Sequence, residues 1–213
     1  MSFKTTTLGI LGGGQLGKML IQEAVNLNIE LFVLDPDQHA PCKHLVKHFT
    51  CGSLQDFDTV YHFGKQVEVL TIEIEHVNVD ALEQLEKEGV HVYPQPAVLR
   101  TIQNKALQKA FYDQNEIKTA AFTIVQGKEE ILKHLAEAKL SYPFVQKLAT
   151  GGYDGKGVAV INSKDDLGLL LEGESVIETK LNIATEYAII VARNAHGETA
   201  IYDAVEMVFN EEA

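Results

Sequence analysis

A chain of 213 residues, 46% of them apolar, can bury a real core and fill one large or two small domains. Thirty acidic against 18 basic residues give a formal charge of −12 with no basic block, which argues against nucleic acid as a partner. No apolar run approaches the roughly 20 residues of a bilayer span, no charged-then-apolar leader opens the chain, and Cys42 and Cys51 cannot supply a disulfide framework, so a cytoplasmic protein without membrane contact is expected.

Residues 8–11 form a short apolar run, after which Gly12, Gly14 and Gly17 fall on the spacing G-x-G-x-x-G. Such glycines make a tight turn, admit a phosphate to the backbone and let the next helix pack close. Leu16, Met19, Leu20, Ala24 and Leu27 follow at helical spacing, and a second apolar run, 31–34, ends in Asp35, where the ribose-binding acid of a dinucleotide site would stand. Many doubly wound sheets begin this way and use the turn for another ligand or only for packing, so the stretch by itself leaves both readings open.

A loop over 35–43 leads into a third short strand in "HLVKHFTCGS". His39, Cys42, His44, His48 and Cys51 crowd this segment, but without a C-x-x-C pair it reads as a loop entering a strand rather than as a zinc site. A helix is expected over 55–66. In "VEVLTIEIEHV", Val67, Val69 and Leu70 form a buried strand, and the alternation from Thr71 to Glu75 marks where one side becomes polar. Glu73 thus stands at the carboxyl end of a parallel strand, where open α/β sheets hold ligands; a polar residue simply leaving the sheet fits its position equally well. Asn78 can cap a helix carrying Leu82 and Leu85, which Gly89 ends, and "HVYPQPAV" adds a last strand before Pro94 and Pro96 punctuate the chain. This β-α-β-α rhythm implies a Rossmann-like parallel sheet with helices on both faces, over residues 1–100.

The pattern then changes: a helix over 104–114, the strand "AFTIV", a helix with Glu129 and Glu130 in its first turn and Ile131, Leu132 and Leu135 on one face, then "YPFVQKLA" and "GVAVI". A helix capped by Ser163 with Asp166 three residues on, "SVIETKL", and two long strand-like runs, 184–192 and 199–209, complete an α+β domain over 101–213. Within it, "KLATGGYDGKGVAV" sets Gly151, Gly152, Gly155 and Gly157 between two strands, a row of small-residue amides that can close over a polyphosphate. The G-K-[ST] ending and following helix of a Walker loop are absent, and an ordinary glycine-rich hairpin is the plain alternative.

Arg100, Lys105 and Lys147 precede that loop, and Glu178 and Lys180, then Glu186, follow it. This order resembles the nucleotide site of the ATP-grasp superfamily. With "GILGGGQLGKML", "TIEIEHV", "RTIQNK" and "TGGYDGKG" in sequence, nearly the whole chain is similar to the 5-(carboxyamino)imidazole ribonucleotide synthase family of purine biosynthesis. The resemblance implies an α/β fold: a Rossmann-like domain followed by an incomplete α+β ATP-grasp domain. It implies a ligase that uses ATP and Mg2+ to phosphorylate bicarbonate and deliver carbon dioxide from carboxyphosphate to the amine of 5-aminoimidazole ribonucleotide.

By the same resemblance, Arg100 and Lys147 would contact phosphates, and the loop with Gly151, Gly152, Gly155 and Gly157 would cover them. Glu178, with the backbone of Lys180 and Leu181, would bind adenine, and Glu186 the ribose. Tyr153, Asp154 and Lys156 would serve the reaction, with Gly14, Gln15, Leu16 and Glu73 beside the ribonucleotide; the dehydrogenase fingerprint would then be a false positive. Relatives in this family are commonly dimers, although no interface is visible in the sequence. Lys156 stands where many relatives carry arginine, which gives up a bidentate fork. The chain stops at "MVFNEEA", before the strands that supply magnesium ligands in this family, and Glu211 and Glu212 read as a solvated turn. The 213 residues are therefore expected to be a fragment that does not turn over alone. Rival readings are another ATP-grasp carboxylase or ligase, a non-catalytic nucleotide-binding module, and an NAD-dependent oxidoreductase.

Overall fold

The computed structural model describes residues 5–152 and 157–208. Five short apolar strands, β1 (Thr7–Leu11), β2 (Glu30–Asp35), β3 (His48–Cys51), β4 (Val69–Ile72) and β5 (His91–Tyr93), form an all-parallel sheet in the order β3-β2-β1-β4-β5. Strand parity sorts their side chains. Leu8, Ile10, Leu31 and Val33 pack with Ile21 and Ala24 of helix α1 (Gln15–Asn26) on one face. Leu11, Leu34 and Leu70 join the larger core on the other, beneath α2 (Phe57–Gly64) and α3 (Val79–Lys87). Burial on both faces explains why these strands read as near-continuous apolar runs. Asp56 caps α2 by accepting from Thr59 N, and Asn78 caps α3, as its sequence position implies, by accepting from Ala81 N.

Helix α4 (Pro96–Ile102) buries Leu99 in the same core, so the first packed unit runs slightly beyond residue 100. Helix α5 (Lys105–Gln114) opens the second unit. There β6 (Phe122–Val125), β7 (Phe144–Leu148), β8 (Val158–Ile161) and β9 (Ser175–Thr179) make an antiparallel sheet in the order β6-β9-β7-β8. Val125, Phe144, Ile161 and Ile177 pack on one face with Ile131 of α6 (Lys128–Ala136), while α5 sets Ala106 against Val176 on the other. Gln146 is fully buried yet satisfied: its amide donates to Leu171 O and Ser175 Oγ and accepts from Leu171 N, each at 2.9 Å.

Two expectations need correction. The segment after Ser163 has the anticipated capping box with Asp166, but it is a short 3-10 helix, Lys164–Leu169, containing Gly168 and ending in extended backbone at Leu170, too short to propagate as an α-helix. The two long strand runs are also broken. Each gives two three-residue strands, β10 (Glu186–Ala188) and β11 (Val191–Arg193), then β12 (Thr199–Ile201) and β13 (Val205–Met207), paired β10 with β13 and β11 with β12. Among the described residues this ribbon has two strands and no third neighbour; such ribbons twist strongly, and this one interrupts at 189–190 opposite 202–204. Among the described residues no helix is long and apolar enough to cross a membrane.

Candidate functional site

In the first sheet the strand order reverses between β1 and β4, and the crevice at such a switch point is where doubly wound sheets hold ligands. Both edges of this crevice are defined. Gly12 has φ +105°, and a Cβ there would lie 2.6 Å from Glu73 Oε2; a Cβ on Gly14 would lie 2.8 Å from Glu73 Oε1. The Glu73 carboxylate thus rests against the glycine turn, in space that only glycine leaves open. On the other side, Asp35 Oδ2 accepts from Gly13 N at 2.6 Å and Oδ1 from Asp37 N at 2.7 Å. The acid expected at a dinucleotide ribose is committed to the turn itself, and a pyrophosphate entering here would meet two carboxylates. Gly14 is the N-cap of α1, and Gln15 and Leu16 stand exposed in its first turn.

Cys42 closes this corner from below, its N–H donating to Gly13 O at 3.0 Å and its Sγ 3.6 Å from Gly14 O. Burial pushes its thiol pKa up, and the charges of Glu73 and Asp35 push the same way. It is a packing group, whereas Cys51 is exposed, and among the described residues no group of three His, Cys, Asp or Glu could hold a metal ion.

In the second sheet the register sets Val145 opposite Val160 and Glu178, and Lys147 opposite Val158 and Val176, so all six share one face. Helix α5 covers only part of that face and contributes a residue that the sequence reading missed. Lys109 and Lys147 both form ion pairs with the buried carboxylate of Glu178, and Lys109 also donates to Thr119 Oγ1 and lies 5.5 Å from the Phe122 ring centroid. Burial alone would raise the Glu178 pKa; hydrogen bonds and charge from the two ammonium groups outweigh it and hold the carboxyl below its usual range. Lys109 was legible in principle. It stands three residues after Ala106, on the helix face that Ala106 buries, and a lysine there requires an anion.

Beyond Lys147 the face is open: Val158 and Val160 remain 41% and 38% exposed, an apolar shelf beside an ammonium group. Lys180 turns its side chain to Asn162 Oδ1 at 2.8 Å, while Leu181 is exposed just past the end of β9 and Glu186 is exposed at the start of β10.

A cleft of about 420 Å³ joins the two units, lined by Glu75, His76, Arg100, Lys105, Thr150, Gly151 and Gly152 among others. Arg100 faces it with its charge already engaged: Nη2 to Asp80 Oδ1 at 2.6 Å and Nε to Glu83 Oε1 at 2.8 Å, both from α3. Lys105 touches the described part of the glycine-rich loop, its backbone N donating to Ala149 O at 2.8 Å and its Nζ to Gly152 O at 3.1 Å. Gly151 and Gly157 have φ +75° and +77°, and a Cβ on Gly157 would meet Gly152 Cα at 2.9 Å, so the loop base needs its glycines. Tyr153, Asp154, Gly155 and Lys156 lie outside the described residues.

Comparison with known proteins agrees with this fold. Residues 5–103 match the ribonucleotide synthetase preATP-grasp domain family and residues 110–212 the ATP-grasp domain family. A phosphoribosylaminoimidazole carboxylase of Candida albicans is 34% identical over 211 residues, covering 95% of this chain and 37% of that protein. The N5-carboxyaminoimidazole synthetase of Staphylococcus aureus, solved with ADP, superposes with a TM-score of 0.87 at 30% identity, over 98% of this chain and 56% of that one. The Aspergillus clavatus N5-carboxyaminoimidazole synthase, solved with ADP and 5-aminoimidazole ribonucleotide, gives 0.85 at 31% identity, over 98% and 55%. The chain therefore spans between about a third and a little over half of these relatives' lengths. It belongs to the ATP-grasp proteins in which a ribonucleotide synthetase preATP-grasp domain leads the ATP-grasp domain.

Proposed function

We propose that this chain forms the ribonucleotide side and one wall of the nucleotide side of an enzyme that carboxylates 5-aminoimidazole ribonucleotide. ATP transfers its terminal phosphoryl group to bicarbonate, giving ADP and carboxyphosphate. Carboxyphosphate releases phosphate and carbon dioxide, and the exocyclic amine of the ribonucleotide takes up the carbon dioxide and loses a proton. The carrying observation is the cleft that sets Glu75, His76 and Arg100 opposite a glycine-rich loop gripped by Lys105, with the switch-point carboxylate of Glu73 two residues before Glu75 on the same loop.

In this reading Lys147 serves the phosphates and the Val158–Val160 shelf takes a flat, apolar purine face, with the backbone at Lys180 and Leu181 reading its edge and Glu186 the ribose. Glu178 acts through Lys147, whose ammonium it holds in place. Arg100 reaches a phosphate only by exchanging its α3 carboxylates. Glu73 presents a hydrogen-bond acceptor to the ribonucleotide beside Gly14, Gln15 and Leu16, and Tyr153, Asp154 and Lys156 belong to the reacting end of the loop. ATP enters as its Mg2+ complex, the metal keeping oxygen ligands from the phosphates and supplying charge neutralisation there. The protein's own part is positioning and charge stabilisation, since phosphoryl transfer asks little covalent chemistry of it. We place the reaction in the cytoplasm and expect a homodimer. The test is phosphate release from MgATP and bicarbonate, with and without 5-aminoimidazole ribonucleotide, by the full-length protein that carries this chain. Release that requires the ribonucleotide supports the assignment; a folded protein whose release ignores it refutes the substrate.

A further inference from the structure

Gln103 lies at the join of the two units, between the end of α4 at Ile102 and the start of α5 at Lys105. Its side-chain nitrogen donates to Glu75 O at 2.6 Å and to Val77 O at 2.8 Å, so both amide hydrogens are spent on the loop between β4 and α3. That loop starts at Glu73, whose own backbone N is tied to Leu11 O at 2.8 Å. Two residues after Gln103, Lys105 holds the other side of the cleft through Ala149 O and Gly152 O. Asn104 fixes the spacing by capping α5, its Oδ1 accepting from Ala106 N and Leu107 N at 2.8 and 3.1 Å. Three consecutive side chains thus connect the glycine-rich loop, the first turn of α5 and the loop that carries Glu73. Ala149 and Gly152 are thus tied, through Lys105, to the same helix start that positions Gln103.

We propose that Gln103 is a positioning residue that couples nucleotide binding at the glycine-rich loop to the placement of Glu73 in the ribonucleotide crevice. Glutamine suits the task because it spans the join and offers two donors to two carbonyls. Leucine offers none, and glutamate would turn carboxylate oxygens toward them. Coupling of this kind is reciprocal: each ligand must tighten the other by the same factor. The inference rests on the purine reading above.

The test is calorimetric titration of the full-length protein with 5-aminoimidazole ribonucleotide, with and without a saturating non-hydrolysable ATP analogue. The wild type is expected to bind the ribonucleotide at least about five-fold tighter when the analogue is present. Gln103→Leu and Gln103→Glu are each expected to bring that ratio to within about two-fold of one, a loss that destabilisation alone would not produce, while the analogue's affinity in the absence of ribonucleotide stays within about two-fold of wild type. Lys105→Met, which cuts the opposite end, is expected to lower the ratio too, and serves if the Gln103 variants do not fold. A wild-type ratio of one, or variants that keep the wild-type ratio, overturns the coupling role while the purine reading survives. Absence of any ribonucleotide binding by the wild type overturns both.

Discussion

Replacing Lys109 by methionine tests whether the Glu178 pair supports the second domain. The Lys109 side chain is 11% exposed and that of Glu178 7%, so the pair is held in a poorly hydrated site. Removing one partner of a buried pair costs about 3–5 kcal/mol, because a buried charge is left uncompensated. Here Lys147 remains on the carboxylate, and methionine keeps most of the length of the apolar stem. What is lost is one charged hydrogen bond to Glu178, the bond to Thr119 and the ammonium's attraction to the ring, so a net loss of roughly 2–3 kcal/mol is expected. Urea denaturation at 25 °C, followed by circular dichroism, measures it.

The pH dependence supplies a sign. Since the folded-state pKa of Glu178 is depressed, its ionised form stabilises the fold above the unfolded pKa, about 4.3, and that stabilisation fades as pH falls through the folded value. The gap between wild type and Lys109→Met should therefore be full at pH 7 and narrow in acid. A gap under about 0.5 kcal/mol at pH 7, or one of equal size at pH 3 and pH 7, would refute the account.

Further consequences can be measured separately. Lys147→Ala in the full-length protein should weaken ATP by about 1.5–3 kcal/mol, the range for a hydrogen bond to a charged group, and unchanged nucleotide affinity by calorimetry would remove Lys147 from the phosphate site. Gly64→Ala should destabilise by about 1–2 kcal/mol despite alanine's better helix propensity, because the new Cβ would stand 2.3 Å from the Cδ1 of the fully buried Leu85; a more stable variant in thermal melts would show that α2 and α3 can separate cheaply. Gln146→Leu strands Leu171 N and Leu171 O, takes a donor from Ser175 Oγ, which keeps its bond to Gly173 O, and should cost about 2–4 kcal/mol, with a neutral result showing that water reaches the freed groups. Gly14→Val should displace the Glu73 carboxylate and weaken the ribonucleotide at least ten-fold with little change in ATP affinity. Equal binding of the ribonucleotide would place Glu73 outside its site.

The first domain was readable because its signals are local: short apolar strands, one glycine turn and one capping asparagine stand close together along the chain. Asn78 and Ser163 show how far a cap can be trusted, since both bond as their positions imply, yet Ser163 opens only a 3-10 segment. The break at 189–190 could not be foreseen from apolar runs, because it depends on which strand lies opposite and whether a third supports it. Site residues divide the same way. Glu73 and Lys147 sit at strand positions that advertise themselves, and the structure brings Glu73 onto the glycine turn. Lys109 and Gln103 act across 69 residues and 28 residues of sequence respectively, and only tertiary packing reveals their partners. Arg100 read as a phosphate ligand from its place in the motif order, while two carboxylates on α3 compete for it.

Two ammonium groups on one carboxylate have a meaning for ligand entry. The Lys147 side chain is 37% exposed and that of Lys109 11%, so one lysine is open to solvent and the other is locked behind it. When an anionic ligand draws Lys147 away, Glu178 is not abandoned in a dry site, because Lys109 keeps it company. Under the proposed role of Lys147 the cation would be on loan rather than in permanent use, passing to a polyphosphate by exchange of one anionic partner for another. A third charge beneath the pair is what makes such a transfer inexpensive.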